Sequence, residues 1–320
     1  MRFPAFLTLL VLPAAPVAAG SPVLDLPINC QLGETCYIQH YVDRDPGPDA
    51  QDYRCGTATY DGHKGTDIAV PTLADMLRGV SVLAAAPGIV AATRDGMPDV
   101  EYSEAVADIV KNRECGNGVL IRHGDGWETQ YCHMRKGSLT VRKGDRVSRG
   151  DVLGQVGISG KAQFPHVHLS VRHNGKVVDP FAPDATASCG DDGTGLWADP
   201  PAYRAGGVID AGFATRVPSY EEVKAGTADE PIRPDAGALV LFLLASNGHK
   251  GDRIELQIDG PDGVVFQQEV TLERNRAMFF RAGGKRLRAD RWPPGKYVGT
   301  VVMDRDGREL SRRTVETTID

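Results

Sequence analysis

Phe164-Pro165-His166-Val167-His168-Leu169-Ser170-Val171-Arg172 alternates apolar and polar side chains. A period of two predicts a β-strand, whose successive side chains point to opposite faces. Val167, Leu169 and Val171 take one face, and His166, His168, Ser170 and Arg172 the other. Two imidazoles two residues apart on a strand face can converge on one metal ion, or on an ion and its water. Far upstream, His63-Lys64-Gly65-Thr66-Asp67 supplies the complement. Zinc accepts histidine nitrogen and carboxylate oxygen, and a catalytic site typically uses three protein ligands and leaves the fourth position to water. His63, Asp67 and one of the two later histidines complete such a set.

Outward from this strand the chain is punctuated by turns. Asn174-Gly175 is a two-residue hairpin signal, after which 176–178 pairs back and Asp179-Pro180-Phe181 closes the unit. Residues 119–123 and 127–133 flank Gly124-Asp125-Gly126 as a second hairpin. Strict alternation on its return strand puts Trp127, Thr129, Tyr131 and His133 on one face and Cys132 on the other. That argues against Cys132 and His133 ligating one ion. Residues 81–86 and 89–93 flank Pro87-Gly88 and read as a hairpin-like pair of buried strands. Thr72-Leu73-Ala74-Asp75 is a capping-box variant for a short helix ending at Gly79, and Ser103 can cap a helix within an insertion at 95–116.

Composition bounds the function class. Charged residues make up 24 % of 320 and the net charge is -6, so no basic excess points to nucleic acid or to an anionic membrane. Residues 1–19 read as a signal peptide, with Arg2, an apolar run at 7–12 and Val17-Ala18-Ala19 before the cut. No later segment reaches membrane-spanning length; the apolar run at 238–245 suits a buried strand. The mature protein is expected to be exported, periplasmic or secreted. In that compartment Cys30, Cys36, Cys55, Cys115, Cys132 and Cys189 are expected in disulfides, with 15 full pairings open and Cys30 to Cys36 a plausible local loop. Residues 20–58 read as an irregular, Cys-containing arm, 59–183 as the β-domain bearing the histidines, and 184–235 as a linker with one helix capped by Ser219. Residues 236–320 read as a small C-terminal β-sandwich of immunoglobulin-like type.

An H-x-x-x-D element at His63, the Tyr131-Cys132-His133 element and the H-x-H strand, in that order, resemble the lysostaphin/LytM-type zinc metallopeptidases over roughly Tyr60 to Pro183. The resemblance implies a mainly β chain, with a LytM-type antiparallel β metallopeptidase domain ahead of the C-terminal sandwich. It implies one Zn2+ held by His63, Asp67 and His168, with His166 and His133 assisting catalysis. It further implies an endopeptidase acting on the stem peptides and cross-links of bacterial peptidoglycan. Some members place a tyrosine shortly before the first ligand to support the oxyanion, and Tyr53 and Tyr60 both qualify. By residue chemistry, His166 suits the proton-transfer role and His133 the oxyanion. The alternative is a non-catalytic module that binds wall or activates a separate hydrolase; the complete ligand set ranks it second. The C-terminal sandwich fits a wall ligand, a partner protein or the catalytic groove itself. His40 has no context, and His249-Lys250-Gly251-Asp252 only echoes the first ligand element.

Overall fold

The structure is a computed structural model that describes residues 20–183, 189–190 and 195–320. The signal-peptide reading, and 184–188 and 191–194 of the linker reading, lie outside the described residues. The chain is mainly β. Its first ten strands are β1 (Tyr37–His40), β2 (Thr66–Ala69), β3 (Ser81–Leu83), β4 (Gly88–Arg94), β5 (Asn117–Gly124), β6 (Trp127–Met134), β7 (Arg146–Val147), β8 (Val152–Gln155), β9 (His166–His173) and β10 (Lys176–Val178). Eight of them form one sheet, ordered β1-β2-β9-β6-β5-β4-β7 with β10 also on β9; β3 and β8 make a separate pair.

The expected alternation of β9 holds: Val167, Leu169 and Val171 are fully buried and pack with Ile68, Val119, Ile121 and Tyr131. Both expected hairpins form, β5 with β6 and β9 with β10. So does the first short helix, α1 (Leu73–Arg78), where Thr72 and Asp75 exchange side-chain and backbone hydrogen bonds. Ser103 precedes a 3-10 turn that runs into α2 (Ala107–Val110), but its side chain makes no capping bond. The strands on either side of Pro87-Gly88 do not pair with each other. β3 pairs with β8, and β4 pairs with β5 and β7. Both are largely apolar segments, and each has its ladder partner in a distant stretch of chain.

The segment read as an irregular arm and the one read as a linker both carry strands. Within 20–58, β1 pairs antiparallel with β2 and forms the edge of the main sheet. Tyr41 and Tyr53 of the same segment pack with Phe181 and Tyr203. Within 184–235 lie β11 (Gly207–Ala214) and α3 (Tyr220–Ala225), the latter capped by Ser219 and Glu222 as expected and ended by Gly226. The remaining strands are β12 (Ala238–Gly248), β13 (Arg253–Gly260), β14 (Gly263–Thr271), β15 (Arg276–Arg286), β16 (Gly295–Arg305) and β17 (Arg308–Ile319). They form the sheets β11-β12-β15 and β14-β13-β16-β17, which share a core.

β12 explains how these sheets meet the rest. Its apolar run is buried on both faces, as a strand without polar alternation requires. Leu239, Leu241, Leu243 and Ala245 enter the core between the two C-terminal sheets. Phe242 and Leu244 face the other way, into a cluster with Tyr37 of β1, Ala69 of β2 and Val223 of α3. The C-terminal sheets are therefore joined to the histidine-bearing sheet through a buried apolar layer.

Six cysteines form three disulfides. Cys30–Cys36 closes the local loop, Cys55–Cys189 ties the arm to the segment after the main sheet, and Cys115–Cys132 pins the insertion to β6. Among the described residues, no helix is long and apolar enough to cross a membrane.

Candidate metal centre and active-site cleft

Strand register assembles the site. Antiparallel pairing sets His40 of β1 opposite Asp67 of β2, Asp67 opposite His168 of β9, and His168 opposite Cys132 of β6. Directly paired residues share a sheet face, so these four form one row across four strands. His63 joins from the turn before β2. Its Nε2 lies 3.2 Å from Asp67 Oδ2 and 3.2 Å from His168 Nδ1, while His168 Nδ1 lies 2.7 Å from Asp67 Oδ1. One donor atom from each of His63, Asp67 and His168 lies within 4.8 Å of the other two. Tetrahedral zinc with bonds of about 2.1 Å separates its donors by about 3.4 Å, so this N,O,N set fits the ion chemically and sterically.

The second atoms of these ligands are already committed. Backbone carbonyls can only accept, so His63 Nδ1 donates to Tyr41 O at 2.6 Å and turns Nε2 toward Asp67 and His168. His168 Nε2 pairs with Ser170 Oγ at 3.0 Å, and that hydroxyl donates to Lys64 O at 2.8 Å, leaving Nδ1 of His168 for a metal. His40 Nδ1 sits 3.1 Å from Asp67 Oδ2 and fixes the carboxylate from the far side. His40 is buried, and its ring packs edge-on against Tyr60 and His63. Sequence reasoning gave it no role: its partner is set by the β1–β2 register, and β1 is only four residues long in a stretch without periodicity.

Burial alone would raise the Asp67 carboxyl, but His63 and His166 hold it well below the usual carboxylate range. Burial pulls His63 down, yet the adjacent Asp67 more than reverses this and its proton affinity is raised. Burial lowers His168 and His40, and lowers His133 far below the ordinary imidazole value with help from His166 and His168.

The two histidines outside the ligand set face the same centre. His166 Nε2 lies 3.5 Å from Asp67 Oδ1, with its Nδ1 donating to Phe164 O at 2.8 Å. The His133 ring is 4.6 Å from that of His166, and its Nδ1 donates to Ser159 O at 2.8 Å. In both rings the backbone carbonyl engages Nδ1 and leaves Nε2 turned toward the centre. His133 reaches the site by breaking the alternation expected of β6. Val119 pairs with Tyr131 and Asn117 with Met134, so Gly118 alone faces both Cys132 and His133. This is a β-bulge, and His133 adopts φ 61°; such bulges re-aim side chains beside functional sites. Tyr131 stays in the core, while Cys132 lies on the His168 side, bonded to Cys115 and unable to ligate.

A cleft of about 520 Å³ opens over His40, Asp67, His133, His166 and His168. Tyr60 lines it, with its ring 4.6 Å from His63, and burial pushes its hydroxyl upward, so it remains a donor at neutral pH. Tyr53 instead stacks on Phe181 in the core. That separates the two tyrosines the sequence left open. His123 and His173 lie outside the cleft: His123 contacts Pro87 O and Thr129 Oγ1, and His173 stacks on Trp127. The far wall is unforeseen, because it comes from the C-terminal sheets: Asn247, Gly248, His249, Asn275, Arg276 and Ala277.

Residues 61–180 match the family described as Peptidase family M23. Among curated relatives, the chain is 32 % identical over 117 residues to the peptidoglycan DD-endopeptidase ShyA of Vibrio cholerae, covering 37 % of this chain and 22 % of that protein. It is 40 % identical over 67 residues to the DD-carboxypeptidase/endopeptidase Mpg of Neisseria meningitidis, covering 21 % of this chain and 15 % of that protein. The chain thus spans less than a quarter of the length of either relative. Among solved structures, the catalytic domain of the prophage-encoded M23 protein EnpA from Enterococcus faecalis aligns at 25 % identity with a TM-score of 0.33, covering 49 % of this chain and 96 % of that one. The chain carries a domain of peptidase family M23, spanning residues 61–180.

Proposed function

We propose that this chain is an exported, zinc-dependent endopeptidase that hydrolyses peptide cross-links of bacterial peptidoglycan. The observation that carries the reading is the convergence of His63, Asp67 and His168 on one point, each oriented by a second partner, beside two further imidazoles whose Nδ1 atoms donate to backbone carbonyls. His63 Nε2, an oxygen of Asp67 and His168 Nδ1 would hold the ion. When bound, zinc would bring the pKa of water toward about 7 and polarise the scissile carbonyl.

The remaining steps belong to side chains. His166 Nε2 takes the proton from the attacking water and returns it to the departing amine, which is a poor leaving group unless protonated. Phe164 O holds His166 in the tautomer this needs. His133 is kept neutral by burial, with its only N–H bonded to Ser159 O, so it offers an acceptor. It therefore suits holding the water or the scissile N–H. The oxyanion role expected for His133 needs a donor, and the Tyr60 hydroxyl fits that role better.

The test is digestion of purified sacculi by the mature protein, with products read by mass spectrometry. The reading expects release of un-cross-linked muropeptides, abolished by chelation and restored by zinc. Intact sacculi after treatment with protein shown to hold one zinc would overturn it.

A further inference from the structure

The C-terminal sheets build one wall of the cleft, and that wall is fixed. Asn247 Nδ2 donates to Gln39 O at 3.0 Å, Gln39 Nε2 donates to Ala277 O at 3.3 Å, and His249 Nε2 lies 2.6 Å from Thr57 Oγ1. Gln39 is the neighbour of His40 in β1, so the wall is attached one residue from the side chain that backs Asp67. The buried layer of Tyr37, Phe242 and Leu244 lies behind these bonds.

The charge on this cleft is one-sided. Among the described residues Asp67 is the one acid lining it, and it is sequestered among histidines on the floor. Arg276 on the C-terminal wall and Lys161 on the main-sheet rim are its cations. Among the described residues Arg276 makes no ion pair or side-chain hydrogen bond, although most arginines of these sheets do. Arg253, Arg305, Arg312 and Arg313, for example, all pair with carboxylates. Among the described residues Lys161 likewise makes no ion pair; the Tyr102 ring lies 5.8 Å from its ammonium, whose charge also reaches Glu114. On a chain of net charge -6, two cations over a cleft that make no ion pair among the described residues form a feature that a bound anion completes. Arginine also presents a planar fork that fits a carboxylate in two-point contact.

We propose that Arg276 is a specificity-determining residue that binds a free carboxylate of the peptide lying in the cleft, with Lys161 supporting it from the opposite rim. The C-terminal sheets then select substrate, and are not a separate wall-binding module. This rests on the peptidase reading for its substrate, and two readouts keep the two ideas apart.

Cross-linked muropeptides are used as isolated and after carbodiimide amidation of their carboxyls with ammonium chloride. Hydrolysis and direct binding, by calorimetry, are measured for the wild type, Arg276→Gln and Arg276→Lys. The wild type is expected to favour the free-acid peptide by about 10- to 100-fold in kcat/KM, mainly through KM. Arg276→Gln should erase that preference without slowing turnover of the amidated peptide, and Arg276→Lys should restore part of it. If hydrolysis is absent but acid-selective binding is present and lost in Arg276→Gln, the carboxylate site stands and the peptidase reading falls. Equal use of both peptides by the wild type, or equal losses on both in Arg276→Gln, would overturn the site and leave the peptidase intact. Absence of both hydrolysis and acid-selective binding would overturn both.

Discussion

Gly65 stands where no side chain fits. A Cβ there would lie 2.5 Å from His168 Nε2 and 2.7 Å from Leu169 O. The ring it would displace is the one Ser170 anchors. Gly65→Ala should therefore weaken zinc binding by tenfold or more while leaving the sheet folded, read by competition with a chromophoric chelator and by circular dichroism. His40 acts on the same centre from the other side. His40→Ala frees Asp67 Oδ2 and should cost about 10- to 100-fold in zinc affinity, as losses of outer partners do. Unchanged affinity would reduce His40 to packing. Protons compete at this centre. His63 has a raised proton affinity in the metal-free protein, so that form gains stability below the ordinary value of 6.5 and loses it as pH rises through the folded value. Asp67 is depressed, so its contribution is present above 3.8 and lost as pH falls through its folded value. His63 thus favours the chelated protein at pH 6 over pH 8, whereas His40, His133 and His168, whose proton affinities burial lowers, withdraw stability as pH falls below 6.5. The rise in melting temperature on adding zinc should be larger at pH 8, where fewer protons compete with the metal for His63. The reverse order in calorimetry would remove His63 from the ligand set.

At the level of elements, the β6 bulge is what the cleft depends on. Residue Cys115 holds it twice: through the disulfide to Cys132, and through its carbonyl, which accepts the His133 N–H at 2.8 Å. The bond closes a 17-residue separation, for which chain entropy suggests about 3 kcal/mol. Cys115→Ala/Cys132→Ala should lower the melting temperature and reduce turnover beyond what the lost stability explains, because His133 would no longer be held at positive φ. Full turnover in a folded double variant would show that the bulge stands without its bond. This element also marks where sequence stopped being informative. The histidines of β9 were legible because a period of two survives in any half-buried strand. The β5–β6 and β9–β10 hairpins were legible because Gly124-Asp125-Gly126 and Asn174-Gly175 carry their turns locally. The facing of His133 was not, because one extra residue opposite Gly118 leaves no signature in β6 itself. β1 and β11 were hidden for a related reason: each takes its ladder partner and its buried face from distant chain, so neither shows a turn-bounded alternating pattern of its own.

Across the whole molecule, β12 makes the two halves mechanically one. An apolar strand with a single covered face would expose Phe242 and Leu244; here both are covered by β1, β2 and α3, whose Tyr37, Ala69 and Val223 are buried in turn. Cutting the chain before β11 would expose this layer on the histidine-bearing half and strip Asn247 and Ala277 from Gln39. The consequence for folding is cooperativity. Linked domains with small polar contacts unfold separately, whereas a shared apolar layer couples them. Calorimetry of the oxidised, zinc-loaded protein should show one transition, and a fragment ending near residue 200 should be less soluble and bind zinc more weakly, since β1 loses its outer support. The same coupling places His40, Gln39 and the Arg276 wall on one rigid frame, so that cleft width and ligand geometry are set together. Two well-separated transitions, with zinc raising only the first, would break that link and return the C-terminal sheets to the status of an appended module.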